Sequence, residues 1–202
     1  MLSELDRRFD EELAKVTGPG GKLEMSSDEQ GHAIVAKLPA TLPDFFRAFC
    51  ALHGGAEALV SGDERLSFAD LDRISERLAH ALVARGIAKG DRVAIAMRNC
   101  PAWIVSYMAI LKAGGIATLL NGWWEAHEME HAVQLTEPKL IIADGARGKR
   151  IAERCGRFET VSLEIDRPVE EAIAELLSGS DNEVTVPQIV PEDDATILFT
   201  SG

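Results

Sequence analysis

The chain has 202 residues, 46% of them hydrophobic, and a mean hydropathy of −0.01, so one globular domain with a substantial core is expected. Its 33 acidic and 21 basic residues give a formal net charge of −12, which repels nucleic-acid phosphates and anionic membranes and argues against a nucleic-acid partner. The charged N-terminus does not resemble a signal peptide, and the apolar stretch 103–111 is too short to span a bilayer, so no transmembrane segment is expected.

The three cysteines, Cys50, Cys100 and Cys155, are odd in number, lie far apart and include no C-x-x-C pair. This pattern suits a reducing compartment better than a disulfide framework. We therefore expect buried thiols and a cytoplasmic protein.

Residues 1–41 predict an N-terminal helix and linker. Leu5, Phe9, Leu13 and Val16 recur at helical spacing, and the run Gly-Pro-Gly-Gly at 18–21 ends the pattern. The polar positions mix acidic and basic side chains, whereas a helix lying on a membrane would be rich in Lys and Arg. We interpret the segment as a docking helix, with a membrane-surface helix as the alternative.

Residues 42–53 predict a second helix, whose Phe45, Phe46 and Phe49 are expected to face the core because closely spaced aromatic side chains are usually buried. Residues 57–66 predict a β-hairpin that turns at Gly62-Asp63. Both elements precede the part of the chain with the clearest pattern.

Residues 66–121 predict helix, strand, helix, strand. Ser67 is a good N-cap with Asp70 three residues on, and Gly86 can adopt the left-handed conformation that ends a helix, which predicts a helix over 68–85. Residues 92–97 predict a buried strand, Pro101 begins a helix, and residues 116–120 predict the next strand. The order predicts a right-handed β-α-β unit.

The alternation continues after Asn121. It predicts helices over 125–135, 147–155 and 168–177, strands over 139–143, 160–164 and 196–200, and a polar connector over 178–194. Strands alternating with helices favour the α/β class, with a mostly parallel sheet and helices on both faces.

One pentapeptide, His127-Glu128-Met129-Glu130-His131, fits H-E-x-x-H, the helical zinc motif of metalloproteases. A protease would also need a third ligand, for which Glu153 is the obvious helical carboxylate downstream, and an apolar setting. The favoured alternative is a half-exposed helix whose histidines and glutamates face water while three other side chains pack inward: Ala126, Met129 and Val133.

Three patterns in the central block resemble a known family. They are L-S-F-A-D-L-D-R-I-S-E-R-L-A-H-A-L at 66–82, G-I-A-K-G-D-R-V-A-I at 86–95 and L-K-A-G-G-I-A-T-L-L-N at 111–121. In this order and spacing they resemble the early region of the adenylate-forming superfamily, which includes acyl-CoA synthetases, luciferases and the adenylation domains of peptide synthetases. The resemblance runs from about residue 42 to 202 and implies the N-terminal α/β subdomain of an AMP-binding domain.

The sequence D-D-A-T-I-L-F followed by Thr200-Ser201-Gly202 resembles the start of the superfamily's ATP phosphate-binding loop. Small hydroxyl residues and glycine suit that role because backbone N–H groups can approach phosphate oxygens closely while hydroxyls donate further hydrogen bonds. An ordinary turn after a strand is the alternative interpretation. The family's loop continues with more Ser, Thr and Gly and then Pro-Lys-Gly, so we expect the chain to be truncated within the loop.

The resemblance implies that the parent protein uses ATP and Mg²⁺ to convert a carboxylic acid, expected to be a fatty acid, into an acyl-adenylate and then transfers the acyl group to CoA. The family's adenine and acyl pockets and its catalytic lysine lie beyond Gly202, so no catalytic residue is expected here and the 202-residue chain is expected to be inactive alone. A non-catalytic module that binds a nucleotide or a protein is the alternative. A face left uncovered beside the last strand would allow a homodimer.

Leu119-Leu120-Asn121 resembles the acyl-CoA synthetase pattern, whereas amino-acid-activating domains typically have Asp-Pro and a nearby Tyr-Pro there. The sequence departs from the synthetase pattern at Gly122-Trp123-Trp124, where a proline is usual. Because tryptophan is largely buried on average, we expect both rings to pack inside, with a partner surface or an acyl pocket as the alternative.

Overall fold

The computed structural model describes residues 3–28, 30–178 and 184–200. Two compact units divide the chain, residues 1–40 and residues 41–202. Within the described residues, no helix combines the length and apolar character that crossing a bilayer requires.

The first unit contains a helix and a hairpin. Helix α1 (Glu4–Thr17) begins at Ser3, whose side chain accepts the N–H of Asp6 while the Asp6 carboxylate accepts the N–H of Ser3. Strands β1 (Met25–Ser27) and β2 (Ala33–Val35) pair antiparallel. The predicted amphipathic helix is confirmed, and its apolar side chains are all exposed: Leu5, Phe9, Leu13 and Val16.

The second unit contains the remaining elements. They are α2 (Leu42–His53), β3 (Glu57–Ser61), β4 (Glu64–Ser67), α3 (Phe68–Ala84), β5 (Arg92–Ala96), α4 (Pro101–Lys112), β6 (Ile116–Leu119), α5 (Ala126–Thr136), β7 (Leu140–Asp144), α6 (Gly145–Cys155), β8 (Thr160–Leu163), α7 (Val169–Ala172), α8 (Ala174–Leu177) and β9 (Thr196–Leu198). Strands β3 and β4 form an antiparallel hairpin, and the other five form a parallel sheet in the order β8-β7-β5-β6-β9. The predicted α/β class is confirmed.

Alternate residues of the central strands point to opposite faces of the sheet. Val93 and Ile95 of β5 pack with α3 and α4, whereas Ala94 and Ala96 pack with α5 and α6. Strand β7 divides in the same way, and both of its faces are buried. This two-sided cover explains why the central strands read as continuous apolar runs.

The strand order reverses at β5, because β6 lies on one side of β5 and β7 lies on the other. The segments that leave β5 and β7 therefore turn to opposite faces, into α4 and α6 respectively. Such a switch point opens a crevice beyond the carboxyl ends of the strands, where ligands of open α/β sheets usually bind.

Three expectations need correction. Residues 168–177 form two short helices, α7 and α8, separated at Ile173, rather than one. Phe49 does not face the core, because 41% of it is exposed, whereas Phe45 and Phe46 are partly buried. Strand β9 ends at Leu198, before the predicted Thr200.

The cysteines largely match expectation. All three are free; Cys50 and Cys155 are buried, and Cys100 is partly buried. Burial raises the pKa of each thiol, which keeps the sulfur protonated and unreactive near neutral pH.

Candidate functional site

A cleft of about 720 Å³ opens at the carboxyl ends of β6 and β9 and is bounded on one side by α5. We call it the β6–β9 cleft. Its polar and aromatic lining includes Asn121, Trp124, His127, His131, Phe199 and Thr200. Two strand ends and one helix therefore supply the side chains of a site at the edge where ligands of parallel sheets bind.

Thr200 lies in this cleft, two residues beyond the end of β9, and is exposed. The strand that carries it is held by the backbone of β6, and the Thr196 hydroxyl lies 3.0 Å from the Tyr107 hydroxyl of α4. Ser201 and Gly202, the other two residues predicted to bind phosphate, lie outside the described residues.

The loop after β6 forms a wall of the cleft, and two arginines of α6 hold it in place. Arg147 Nε donates to the carbonyl of Gly122 at 2.9 Å, and Arg150 Nη1 donates to the carbonyl of Trp124 at 3.0 Å. The Trp124 ring meets the Phe199 ring edge to face, with centroids 5.2 Å apart. The loop is thereby connected to the residue that precedes Thr200.

The two tryptophans differ in environment. Trp124 is partly buried against α5, α6 and Phe199, as expected. Trp123 is 86% exposed, so the expectation that it packs inside is wrong. Its backbone N–H donates to the Asn121 side chain at 3.0 Å.

Asp144, at the end of β7, anchors Arg147. Its carboxylate accepts the Arg147 guanidinium at 2.7 Å and the backbone N–H groups of Arg98 and Arg147, each at 3.0 Å. Burial by itself would raise the pKa of Asp144, but these hydrogen bonds and the guanidinium charge outweigh it and hold that pKa below its usual range. Asp144 is therefore ionised at neutral pH.

Gly122 gives room for this close approach. A Cβ atom at position 122 would lie 2.9 Å from Arg147 Nε, closer than side-chain carbons normally come to a neighbouring atom. Glycine at this position therefore allows the guanidinium to reach the loop.

A second cleft, of about 610 Å³, lies beside the first at the ends of β7 and β8. Arg98, Asp144, Asp166 and Arg167 are among its lining residues, and Arg98 pairs with Asp166. Its charges are largely paired with one another, so it offers less free hydrogen-bonding capacity than the β6–β9 cleft.

The H-E-x-x-H pentapeptide lies on α5 with His127, Glu128 and His131 facing water and Met129 buried, as the half-exposed-helix interpretation predicts. Glu128 Oε2 accepts the N–H of Glu125 at 2.8 Å in a capping box at the start of this helix. Over the described residues, no group of three or more His, Cys, Asp or Glu is placed to hold a metal ion.

A family model described as AMP-binding enzyme matches residues 46–202, and the chain belongs to this family of adenylate-forming enzymes. Its fold is that of the N-terminal subdomain of such enzymes.

Individual relatives represent more than one branch. A medium/long-chain-fatty-acid CoA ligase of Mycobacterium tuberculosis is 28% identical over 81% of this chain and 27% of its own length. A nonribosomal peptide synthetase-like enzyme of Aspergillus fumigatus is 29% identical over 80% of this chain and 10% of its own length. A solved structure from Rhodopseudomonas palustris, described as a long-chain-fatty-acid CoA ligase, is 25% identical with a TM-score of 0.69, over 80% of this chain and 42% of that one. The chain thus spans about a quarter of the fatty-acid CoA ligase and a tenth of the peptide synthetase-like enzyme.

The sequence predicted Thr200 as a phosphate-binding residue, and that role stays a prediction; the residues that support the cleft were not predicted. The role of Asp144 could have been predicted, because an Asp at the end of an apolar strand, three residues before Arg147, is typical of a helix N-cap. The contact between Trp124 and Phe199 had no such signal.

Proposed function

We propose that this chain supplies the N-terminal part of the active site of an ATP-dependent acyl-CoA synthetase. The reaction joins a carboxylate to the α-phosphorus of ATP with release of pyrophosphate. The thiol of CoA then takes the acyl group and releases AMP. The single observation that carries the proposal is the position of Thr200 in the β6–β9 cleft, at the carboxyl edge of a parallel sheet in a chain of the AMP-binding family.

Thr200, Ser201 and Gly202 are the residues proposed to begin the phosphate-binding loop. The Thr200 hydroxyl is exposed within the cleft and can donate a hydrogen bond to a phosphate oxygen. A preorganised donor stabilises the charge that gathers on the phosphate oxygens as pyrophosphate leaves. The Trp124–Phe199 contact supports this role because it fixes the residue next to Thr200.

The resemblance also implies Mg²⁺ and CoA, and the described residues that line the β6–β9 cleft do not form a Mg²⁺ site. Glu128 is the one carboxylate among the described residues that line the β6–β9 cleft, and its Oε2 already accepts the N–H of Glu125. Mg²⁺ prefers several oxygen ligands in octahedral geometry, which this lining does not provide. We therefore assign no step of the reaction to these residues through Mg²⁺.

The choice of acyl-CoA synthetase over amino-acid activation is supported by the Leu119-Leu120-Asn121 sequence and by the fatty-acid CoA ligase relative. Activation of an amino acid is the second candidate, because peptide synthetase-like relatives match a similar share of the chain. Both candidates use the same adenylation step, so only the carboxylic acid distinguishes them.

The first test is to sequence the parent gene through the dozen codons after Gly202. Further Ser, Thr and Gly codons followed by Pro-Lys-Gly are expected, whereas a stop codon directly after Gly202 would favour the non-catalytic module. Pyrophosphate exchange by the encoded protein should then depend on a fatty acid. Exchange with amino acids alone would replace the proposal with the second candidate.

A further inference from the structure

Two histidines of α5 have no assigned role. Of the five histidines in the chain, three make contacts: His32 pairs with an aspartate, His53 packs against aromatic rings and His80 bonds to a backbone carbonyl. His127 and His131 form no hydrogen bond, ion pair or ring contact with the part of the chain that the structure describes. Their ring nitrogens are therefore available to a ligand.

The helix places these two imidazoles together. Residues four apart on a helix are neighbours on one face, with Cβ atoms about 5–6 Å apart. Both side chains are exposed, and both line the β6–β9 cleft. The helix backbone that carries both histidines is fixed by the capping box at Glu125 and by the burial of Met129 and Val133.

Both neighbouring carboxylates already accept hydrogen bonds. Glu128 Oε2 accepts a backbone N–H, and the Glu130 carboxylate accepts Gln134 Nε2 at 3.2 Å and Arg154 Nη1 at 3.0 Å. The metal-binding side chains on this face of α5 that make no contact with other described residues are thus the two imidazoles. This donor set suits Zn²⁺, Ni²⁺ or Cu²⁺, whereas Mg²⁺ and Ca²⁺ prefer oxygen ligands.

We propose that His127 and His131 together bind one divalent transition-metal ion at the β6–β9 cleft. Two imidazoles occupy only part of the coordination sphere, so the remaining positions face the cleft and can accept water or an anionic oxygen. With two protein ligands the site binds metal more weakly than a four-ligand structural zinc site. The proposal does not depend on the proposed function, because it concerns the metal alone.

The test is a calorimetric titration of the purified chain with Zn²⁺ and, separately, with Ni²⁺. One equivalent is expected to bind, and H127A and H131A should each weaken binding at least about tenfold, as the loss of one metal-positioning residue typically does. H53A is the matched control, since it removes an exposed histidine outside the cleft and should leave the affinity unchanged.

Two further measurements make the result decisive. Thermal unfolding should give the same midpoint for H127A, H131A and the unchanged chain, because both side chains are exposed. In proton spectra, Ni²⁺ should broaden the imidazole signals of His127 and His131 before those of the other three histidines. The proposal is overturned if the unchanged chain binds neither metal. It is also overturned if the double variant, with both H127A and H131A, binds metal as tightly as the unchanged chain.

Discussion

Asp144 contributes to stability through its charge. Its folded-state pKa lies below its usual value, so the ionised carboxylate stabilises the fold above the unfolded-state pKa of about 3.9, and this stabilisation is lost as the pH falls through the folded-state pKa. D144N keeps the shape but removes the charge, and should lower the free energy of unfolding by about 2 kcal/mol at pH 7. The measurement is denaturant unfolding of both proteins from pH 7 down to about pH 2, so that the series passes below the unfolded-state pKa and through the lowered folded-state pKa.

The sign of the pH effect makes this prediction specific. The difference between the two proteins should be largest at neutral pH and should shrink at acidic pH, where Asp144 itself becomes neutral. A difference that stayed constant over the whole pH range would mean that packing, rather than charge, accounts for the contribution of Asp144.

Gly122 provides a test of the contact between α6 and the loop. G122A would place a carbon 2.9 Å from Arg147 Nε and should destabilise the fold by about 1–2 kcal/mol, because the guanidinium must give up part of its bonding. G145A is the matched control, since a Cβ atom there has no neighbour within 4 Å. Thermal unfolding of each variant gives the comparison.

A double variant identifies the cause. In an R147A background, G122A should lower the stability of the fold much less than it does alone, because the Arg147 atom that the new Cβ crowds has been removed. If G122A caused the same loss of stability in both backgrounds, the backbone at Gly122, and not Arg147, would be the reason for the glycine.

Helices α3 and α4 are joined by a buried charge. Lys112 has no exposed surface, and its Nζ donates to Asp72 Oδ1 at 2.6 Å and to Ser75 Oγ at 2.9 Å and lies 3.2 Å from Glu76 Oε2. K112A would leave a void and would remove the cation that neutralises Asp72 and, together with Arg47, Glu76, so the free energy of unfolding should fall by about 3 kcal/mol.

Two further variants separate the effect of the lost volume from that of the lost charge. K112M refills the volume without the charge and should recover part of the loss, while K149A, on the exposed face of α6, should stay within about 0.5 kcal/mol of the unchanged chain. If K112M were as unstable as K112A in denaturant unfolding, the charge alone would explain the effect.

The elements show what could be predicted from local sequence. Helix α3 begins at Phe68 with Ser67 as its N-cap, as predicted, because the capping box lies within four residues, and Gly86 has the expected positive φ. The break between α7 and α8 at Ile173 was not predicted, and no contact of the described residues explains it. The hydrogen bonds from Arg85, at the end of α3, to the carbonyls of Glu175 and Leu176 join residues that are distant in sequence, so local patterns could not predict them.

The same distinction applies to the site. Thr200 was predicted from the residues beside it in sequence, whereas Trp124 is partly buried against Phe199, which is distant in sequence. Trp123, with the same side chain one position earlier, is exposed. No local pattern distinguishes these two tryptophans, so their roles follow only from the folded chain.

At the scale of the whole molecule, a net charge of −12 opposes self-association, while β9 at the edge of the sheet favours it. Leu198 of β9 is 70% exposed. The proposed homodimer should therefore form through this edge and should strengthen as salt screens the repulsion. Sedimentation at several protein and salt concentrations measures it.

A lysine on the edge strand should prevent this pairing, so L198K should remain monomeric under conditions where the unchanged chain associates. L135K is the matched control, because Leu135 is 67% exposed but lies on α5. Loss of association in both variants would point to general charge effects, and a monomeric unchanged chain would refute the homodimer.

The pairing of β6 with β9 also bears on how the molecule folds and opens. Ala117 pairs with Thr196, a longer chain separation than in any other pairing of the five-stranded sheet. Closing a long loop is entropically costly, so β9 is expected to join the sheet late in folding and to leave it readily in the native state. Its backbone amides should then exchange with deuterium sooner than those of β5 or β7. A ligand held at Thr200 would slow the exchange of the β9 amides, because β9 would leave the sheet less often when the cleft is occupied.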